Sequence, residues 1–329
     1  MEEGDRFLVA DVGATKTLIY LAVHKEKEPL VIKKMTFLAE GFSSLEEILF
    51  LFLKGEQKVH WGVIGACGAV KNEVCHLTNL SWIIEKNAIA NQFPIERVFL
   101  INDLELEGGS LFSLEKKDLI EIQKGKKGEG SVKALLSVGT GLGEAIVLED
   151  RVLPTEGGHA DFVSTTKTEF AFFEWMKNMQ GHVSCETALS GKGISHLYQF
   201  FSEQEGKEKI ENIFLEKNEA SKKAVSFFLN TLGREGGNFA LKTLCFGGLY
   251  LSGGVLKKNP LILQRGEFLE AFKEKGVHRS VLKSVPIYLI KGEKSLILGG
   301  WNFLKLQKKD PLSKKISETG RGLQKKQLY

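Results

Sequence analysis

Phe7-Leu-Val-Ala-Asp-Val-Gly-Ala-Thr-Lys-Thr-Leu-Ile-Tyr20 and Ala134-Leu-Leu-Ser-Val-Gly-Thr-Gly-Leu-Gly-Glu-Ala-Ile-Val147 share one design: an apolar run, a turn of Gly and Thr, and a second apolar run. Short apolar runs bounded by turn residues read as strands, so each stretch predicts two strands joined tightly. In the first half, Leu30 to Ile32 adds a strand, and Ser43 and Ser44 stand three residues before Glu46 and Glu47, the spacing of a capping box. The run Ile48 to Leu53 then reads as a helix. A strand at Trp61 to Ile64, a helix-like stretch near Asn79 to Lys86 and a strand at Arg97 to Ile101 follow. In the second half, the strands Ala134 to Val138 and Ala145 to Leu148 precede a mostly helical region from Phe162 to Leu244. Strands return at Leu249 to Ser252 and Ile287 to Ile290, and a helix over Ser295 to Leu306 closes the pattern. Between the halves, Ile120 to Lys133 is rich in Lys and Gly and reads as a surface loop. The result is an α/β chain of two halves of similar design.

At 329 residues and 43% apolar, the chain can bury cores for two domains, which excludes disordered, collagenous and disulfide-scaffold classes. The net charge of +4 is concentrated in Lys305 to Tyr329, where eight Lys/Arg face two Asp/Glu. The body is therefore close to neutral, which is poor ground for a nucleic-acid surface, and the tail reads as solvated and disordered. Cys67, Cys75, Cys185 and Cys245 make no C-x-x-C pair and read as reduced thiols. No apolar run approaches the ~18 residues of a membrane span, and the acidic N-terminus does not resemble a signal peptide. These features place the chain in a cytoplasm.

The two turns suit phosphate in different ways. In Asp11-Val-Gly-Ala-Thr-Lys-Thr17, Gly13 lets backbone approach a ligand, Thr15 and Thr17 offer hydroxyls, and Lys16 is a point charge. The stretch joins two strands and lacks the G-x-x-x-x-G-K-[ST] spacing of a Walker A loop. Asp11, at a strand end, suits hydrated magnesium, which takes one or two carboxylates with phosphate oxygens; a turn-capping Asp is the other reading. Gly139, Thr140 and Gly141 precede a strand and miss the G-x-G-x-x-G spacing, so they read as a tight turn whose N–H groups can face an anion. Gly247-Gly-Leu-Tyr-Leu-Ser-Gly-Gly254 is a strand bracketed by glycine pairs; Gly253 and Gly254 leave room for a flat base, unless the glycines serve only close packing.

Polar groups gather at other strand ends. An apolar run delivers Asn102 and Asp103 to the carboxyl edge of a sheet, where open α/β sheets bind ligands. A carboxylate there can act as general base while the amide holds the same ligand; a turn signal is the alternative. Glu156 and His159 flank two glycines, a pattern suited to a polyhydroxylated ligand. A metal set of Glu156, His159, Asp161 and His182 lacks ligand spacing. Glu186, in Ser184-Cys-Glu-Thr-Ala-Leu-Ser-Gly191, fits either a ligand or a surface charge.

In this order the motifs resemble the bacterial ATP-dependent glucokinases, and the likeness runs from Leu8 to about Leu306. The resemblance implies the actin-like, ribonuclease H-like sugar-kinase fold, with α/β domains at 1–105 and 106–294 around a cleft. The helix at 295–307 would return to the small domain, leaving 308–329 as a basic tail. It also implies Asp103 as the base for the glucose 6-hydroxyl and Asn102, Glu156, His159 and Glu186 as holders of the remaining hydroxyls. The two Thr/Gly turns would wrap the ATP phosphates, Gly253 and Gly254 would lie near adenosine, and Mg2+ would bridge phosphates with Asp11 near it through water. Ala14 departs from the family, which commonly has a second glycine there, and the zinc-binding cysteines of the related repressor and sugar-kinase group are missing. Glucose and ATP are the partners expected, with a homodimer admitted and neither nucleic acid nor membrane. The competing readings are a kinase of another hexose or amino sugar, and a non-catalytic sugar and nucleotide sensor.

Overall fold

The computed structural model describes residues 1–77, 80–126, 131–202, 208–292 and 294–307. The chain divides into two compact units, Met1–Ser113 together with the C-terminal helix, and Leu114–Gly292.

The first unit begins with β1 (Arg6–Val12), β2 (Lys16–Val23) and β3 (Leu30–Leu38), followed by α1 (Leu45–Leu53) and β4 (Val59–Ala66). A small sheet of β5 (Val70–Lys71), β6 (Val74–His76) and β7 (Ile83–Glu85) precedes α2 (Lys86–Gln92), β8 (Ile95–Asn102) and α3 (Asp103–Gly108). The main sheet has the order β3-β2-β1-β4-β8. β1 and β2 are antiparallel, whereas β1, β4 and β8 are parallel, with Asp11 beside Gly65 and Gly65 beside Ile101. Phe7 to Ala10 read as a continuous apolar run because β1 is central and covered on both faces. The edge strand β3 exposes Leu30, Val31, Ile32 and Met35 but carries Lys33 and Lys34, charges that oppose edge pairing.

α1 starts where the serines predict. The Ser44 hydroxyl accepts from Glu47 N–H at 3.4 Å, and Ser43 N–H donates to the Glu47 carboxylate at 2.9 Å. The C-terminal helix, Lys294–Gln307, packs on α3 and β1. Asn302, 3% exposed, donates to the Gly109 carbonyl at 2.9 Å and the Ser113 hydroxyl at 2.7 Å, and Trp301 Nε1 donates to His24 Nδ1 at 2.7 Å.

The second unit repeats the arrangement. Its strands are β9 (Leu119–Gln123), β10 (Lys133–Val138), β11 (Leu142–Val147), β12 (Val152–Thr155), β13 (Gly248–Ser252) and β14 (Ile287–Ile290), in the order β12-β11-β10-β13-β14-β9. β10 and β11 are antiparallel and β10, β13 and β14 parallel, as β1/β2 and β1-β4-β8 are. Between β12 and β13 run α4 (Lys167–Gln180), α5 (Gly191–Ser202), α6 (Ile210–Phe214) and α7 (Glu219–Thr243). α8 (Gly254–Lys258), α9 (Gly266–Lys273) and α10 (Arg279–Ser284) follow β13. Phe162, Phe172 and Phe227 centre the helical core, with Phe172 and Phe227 edge to face at 5.1 Å.

Two expectations need correction. Ile120 to Gln123, read as the start of a surface loop, belong to the edge strand β9; its antiparallel partner β14 supplies the ladder that a Lys-rich flank disguised. The stretch near Asn79 to Lys86 is helical only at its last residue: Ile83–Glu85 pairs with β6, and the helix runs from Lys86 to Gln92. Residue 79 and the tail 308–329 lie outside the described residues. None of the four cysteines is in a disulfide, and no helix among the described residues is long and apolar enough to cross a membrane.

The Asn302 contacts yield a stability prediction. Asn302→Ala leaves a buried carbonyl without its donor, which costs about 1–3 kcal/mol. The urea transition of the first unit should shift to a lower midpoint; an unchanged midpoint would show that the helix does not depend on this anchor.

Candidate active site

The parallel register of β1, β4 and β8 brings Asp11 and Asn102 to the same sheet edge, since Val12, Ala66 and Asn102 lie in one row. Asn102 ends β8 and caps α3: its Oδ1 accepts from Leu104 N–H at 2.8 Å and its Nδ2 donates to the Gly68 carbonyl at 3.1 Å. These bonds fix the amide while leaving one N–H and one lone pair for a ligand. Asp103, the first residue of α3, accepts from Leu104 N–H at 3.0 Å. Burial, and then the negative charge of Asp11, push its carboxyl up to about 8. A carboxyl so poised exchanges its proton close to neutrality, as a general base requires. Burial also pushes Glu105 up to about 7.

The turn after β1 is closed by Gly13 N–H donating to the Lys16 carbonyl at 3.0 Å. Thr15 and Lys16 are exposed and Ala14 is half-buried. Thr17, expected to offer its hydroxyl, is 0% exposed, because β2 is covered on both faces from this residue on. That leaves Thr15 and Lys16 as the outward groups of the turn.

In the second unit the turn after β10 closes by Gly139 N–H donating to the Gly141 carbonyl at 2.9 Å. Leu142 N–H donates to the Glu186 carboxylate at 2.9 Å, and Gly191 N–H to the Gly139 carbonyl at 2.8 Å. The expectation that the N–H groups of this turn face an anion is therefore corrected for Gly139, whose N–H closes the turn. Thr140 is exposed. Glu186, on the short 3₁₀ turn Cys185–Thr187, is tied to this turn and is not a free surface charge. Gly253 follows β13 at φ +91°, and a Cβ there would lie 2.2 Å from the Val138 carbonyl oxygen, so only glycine fits. Gly254 is exposed with nothing within 4 Å of a Cβ position.

β12 pairs with β11, Thr155 opposite Glu144, and delivers the turn holding Glu156 and His159 beside the glycine turn. His159 Nε2 lies 3.9 Å from a Glu156 carboxylate oxygen, and both side chains are exposed. His182 Nδ1 lies 3.7 Å from Asp161 Oδ1, but among the described residues no three His, Cys, Asp or Glu side chains could hold a metal ion. The first unit thus brings together Asp11, Thr15, Lys16, Asn102 and Asp103, and the second Thr140, Glu156, His159, Glu186, Gly253 and Gly254. Glu144 escaped the sequence reading; the available signal was a carboxylate inside the apolar strand Leu142–Val147.

The Asp103 environment is open to test. Asp11→Asn removes a neighbouring negative charge and should lower the Asp103 titration from about 8, followed by carboxyl carbon-13 resonances. An unmoved titration would leave burial, with the charge of Glu107, as the cause.

Comparison with known proteins agrees with this geometry. The pattern of the glucokinase family matches residues 8–307. A glucokinase of Nostoc sp. is 29% identical over 89% of this chain and 96% of its own length. The crystal structure of a glucokinase from an Antarctic psychrotroph, 27% identical, superposes with a TM-score of 0.77 over 92% of this chain and 99% of its own. A ROK family glucokinase from Streptomyces griseus, solved with glucose and AMPPNP, is 15% identical with a TM-score of 0.65, covering 90% of this chain and 97% of its own. The fold is the two-domain, actin-like fold of the sugar kinases, and the chain belongs to the glucokinase family.

Proposed function

We propose that the protein transfers the γ-phosphoryl group of ATP to the 6-hydroxyl of glucose, giving glucose 6-phosphate and ADP. The observation that carries this reading is Asp103: a strand-end carboxyl beside Asp11, pushed up to about 8 by burial and then by that neighbour. Its ionised form takes the 6-hydroxyl proton as the oxygen bonds to the γ-phosphorus and the bond to the β–γ bridging oxygen breaks, with ADP leaving. Asn102 holds the acceptor through its remaining amide capacity. In the second unit Glu156, His159 and Glu186 hold the other hydroxyls. Thr15, Lys16 and Thr140 face the phosphates, and Gly253 and Gly254 leave room for adenosine. Phosphoryl transfer asks mainly for positioning and charge stabilisation, and these groups supply both.

Magnesium belongs to the same reading. Asp11 and Asp103 are neighbouring carboxylates that, among the described residues, form no metal-holding group of three His, Cys, Asp or Glu side chains, which suits an ion held mainly by phosphate oxygens and water, with Asp11 beside it. When bound, the ion would neutralise charge on the transferring phosphate. Family membership and the Streptomyces griseus complex support glucose and ATP as substrates, and a cytoplasmic setting goes with them.

Asp103→Asn should lower kcat by about 10²- to 10⁴-fold, about 3–5 kcal/mol, while the fold is retained. Retention of more than about a tenth of turnover would contradict the role. Glu156→Ala should raise the glucose KM by about 10- to 100-fold and leave the ATP KM unchanged, since a hydrogen bond to a charged group is worth about 1.5–3 kcal/mol. Equal changes in both constants would remove Glu156 from the sugar site.

A further inference from the structure

Glu144 lies outside the machinery just described, yet it is 2% exposed in β11 beside the fully buried Ala145 and Val147. Its carbonyl accepts from the Thr155 hydroxyl at 3.1 Å, and that hydroxyl accepts from Gly157 N–H at 3.2 Å. Its side chain is pressed against the turn of Glu156 and His159: a Cβ on Gly157 would lie 2.1 Å from Glu144 Oε2. Glu235 of α7, 6% exposed, brings its carboxyl within hydrogen-bonding reach of the Glu144 carboxyl. Glu235 Oε2 accepts from Asn238 Nδ2 at 3.0 Å and from the Cys185 thiol at 3.5 Å. Lys242 Nζ stands 3.9 Å from Glu235 Oε1, and Lys275 donates to Asn238 Oδ1 at 2.6 Å. Oε1 of Glu144 and Oε1 of Glu235 are both buried without a hydrogen-bond partner.

Two ionised carboxylates buried side by side repel strongly, and the Oε1 of each has no donor among the described residues. One proton converts the pair to an O–H···O⁻ bond, the strong form of carboxyl contact. Burial, and then the charge of Glu235, push the Glu144 carboxyl up to about 8, with Lys242 opposing. The Cys185 thiol is pushed up by burial and by Glu235, so it stays a neutral donor.

We propose that Glu144 and Glu235 share a single proton and that the couple positions the turn carrying Glu156 and His159 for sugar binding. The inference rests on the reading of those two residues as sugar ligands. With the proton in place the couple is compact and the turn sits over it. Without the proton the carboxylates repel and Glu144 pushes on Gly157. An acid raised in this way holds its proton below its titration and loses it as pH rises through about 8, so sugar affinity falls on the alkaline side. Asp103 acts in the opposite sense, its base form growing as pH rises, so the two groups separate in a pH profile.

Glu144→Gln tests the couple, because the amide keeps the shape and donates to Glu235 without titrating. Glucose KM and kcat are measured for both proteins from about pH 6 to about pH 9.5. The wild-type KM should rise by up to about tenfold per pH unit above the titration, and that of Glu144→Gln should stay flat with kcat within about twofold of wild type. A variant that keeps the alkaline rise overturns the proposal; a purely structural Glu144 would lower thermal stability and leave that rise in place. Glu235→Gln removes the same repulsion and should also be flat, so the test survives if one variant does not fold.

Deuterium exchange of the segment 152–162 without sugar separates this inference from the glucokinase reading. The wild type should exchange faster than Glu144→Gln at alkaline pH and equally at neutral pH. Equal exchange at both pH values overturns the couple whatever sugar is used. Differing exchange with a flat wild-type KM overturns its role in sugar binding. Differing exchange with no sugar turned over upholds the couple and contradicts the glucokinase reading.

Discussion

The parallel pairing of β1, β4 and β8 is the constraint on which the candidate chemistry of the first unit depends. In-register parallel strands end together, so Asp11, at the end of β1, and Asn102, at the end of β8, reach one edge although far apart in sequence. Asp103 follows at the start of α3, and burial there, joined by the charge of Asp11, raises its titration towards the range in which a base works. A shift of one residue in either pairing would send alternate side chains to the other face and separate these groups.

The second unit repeats the frame and uses it differently. Both hairpin turns close on their own backbone, through Gly13 to Lys16 and Gly139 to Gly141. The first then presents exposed side chains, Thr15 and Lys16, while the second is braced by Glu186 through Leu142 N–H. Glu186 therefore couples the glycine turn to the residues proposed to hold sugar, and its second oxygen remains for that role. Gly253 extends the same economy of space: pressed on Val138, it brings the chain after β13 against the end of β10.

Much of this was legible because the controlling signals are local. Apolar runs around Gly and Thr mark β1, β2, β10 and β11, and the serine–glutamate spacing marks α1. The paired edge position of Asn102 and Asp103 follows from one apolar run. What was hidden depends on distant partners. β9 forms only because β14 lies beside it, and its Lys- and Gly-rich flank reads as loop. Thr17 sits in a turn motif, but sheet packing on both faces of β2 buries it. Asn102 as a helix cap, and Glu144 facing Glu235, require knowing which elements meet, which periodicity does not encode.

Glucose phosphorylation is tested most directly by product analysis with purified protein, ATP and magnesium across glucose, mannose, fructose, glucosamine and N-acetylglucosamine. ADP release is coupled to identification of the phosphorylated sugar. Strong, glucose-dependent ADP release with an equal amount of glucose 6-phosphate is expected. ADP release without a sugar requirement, or none with any of these sugars, would contradict it.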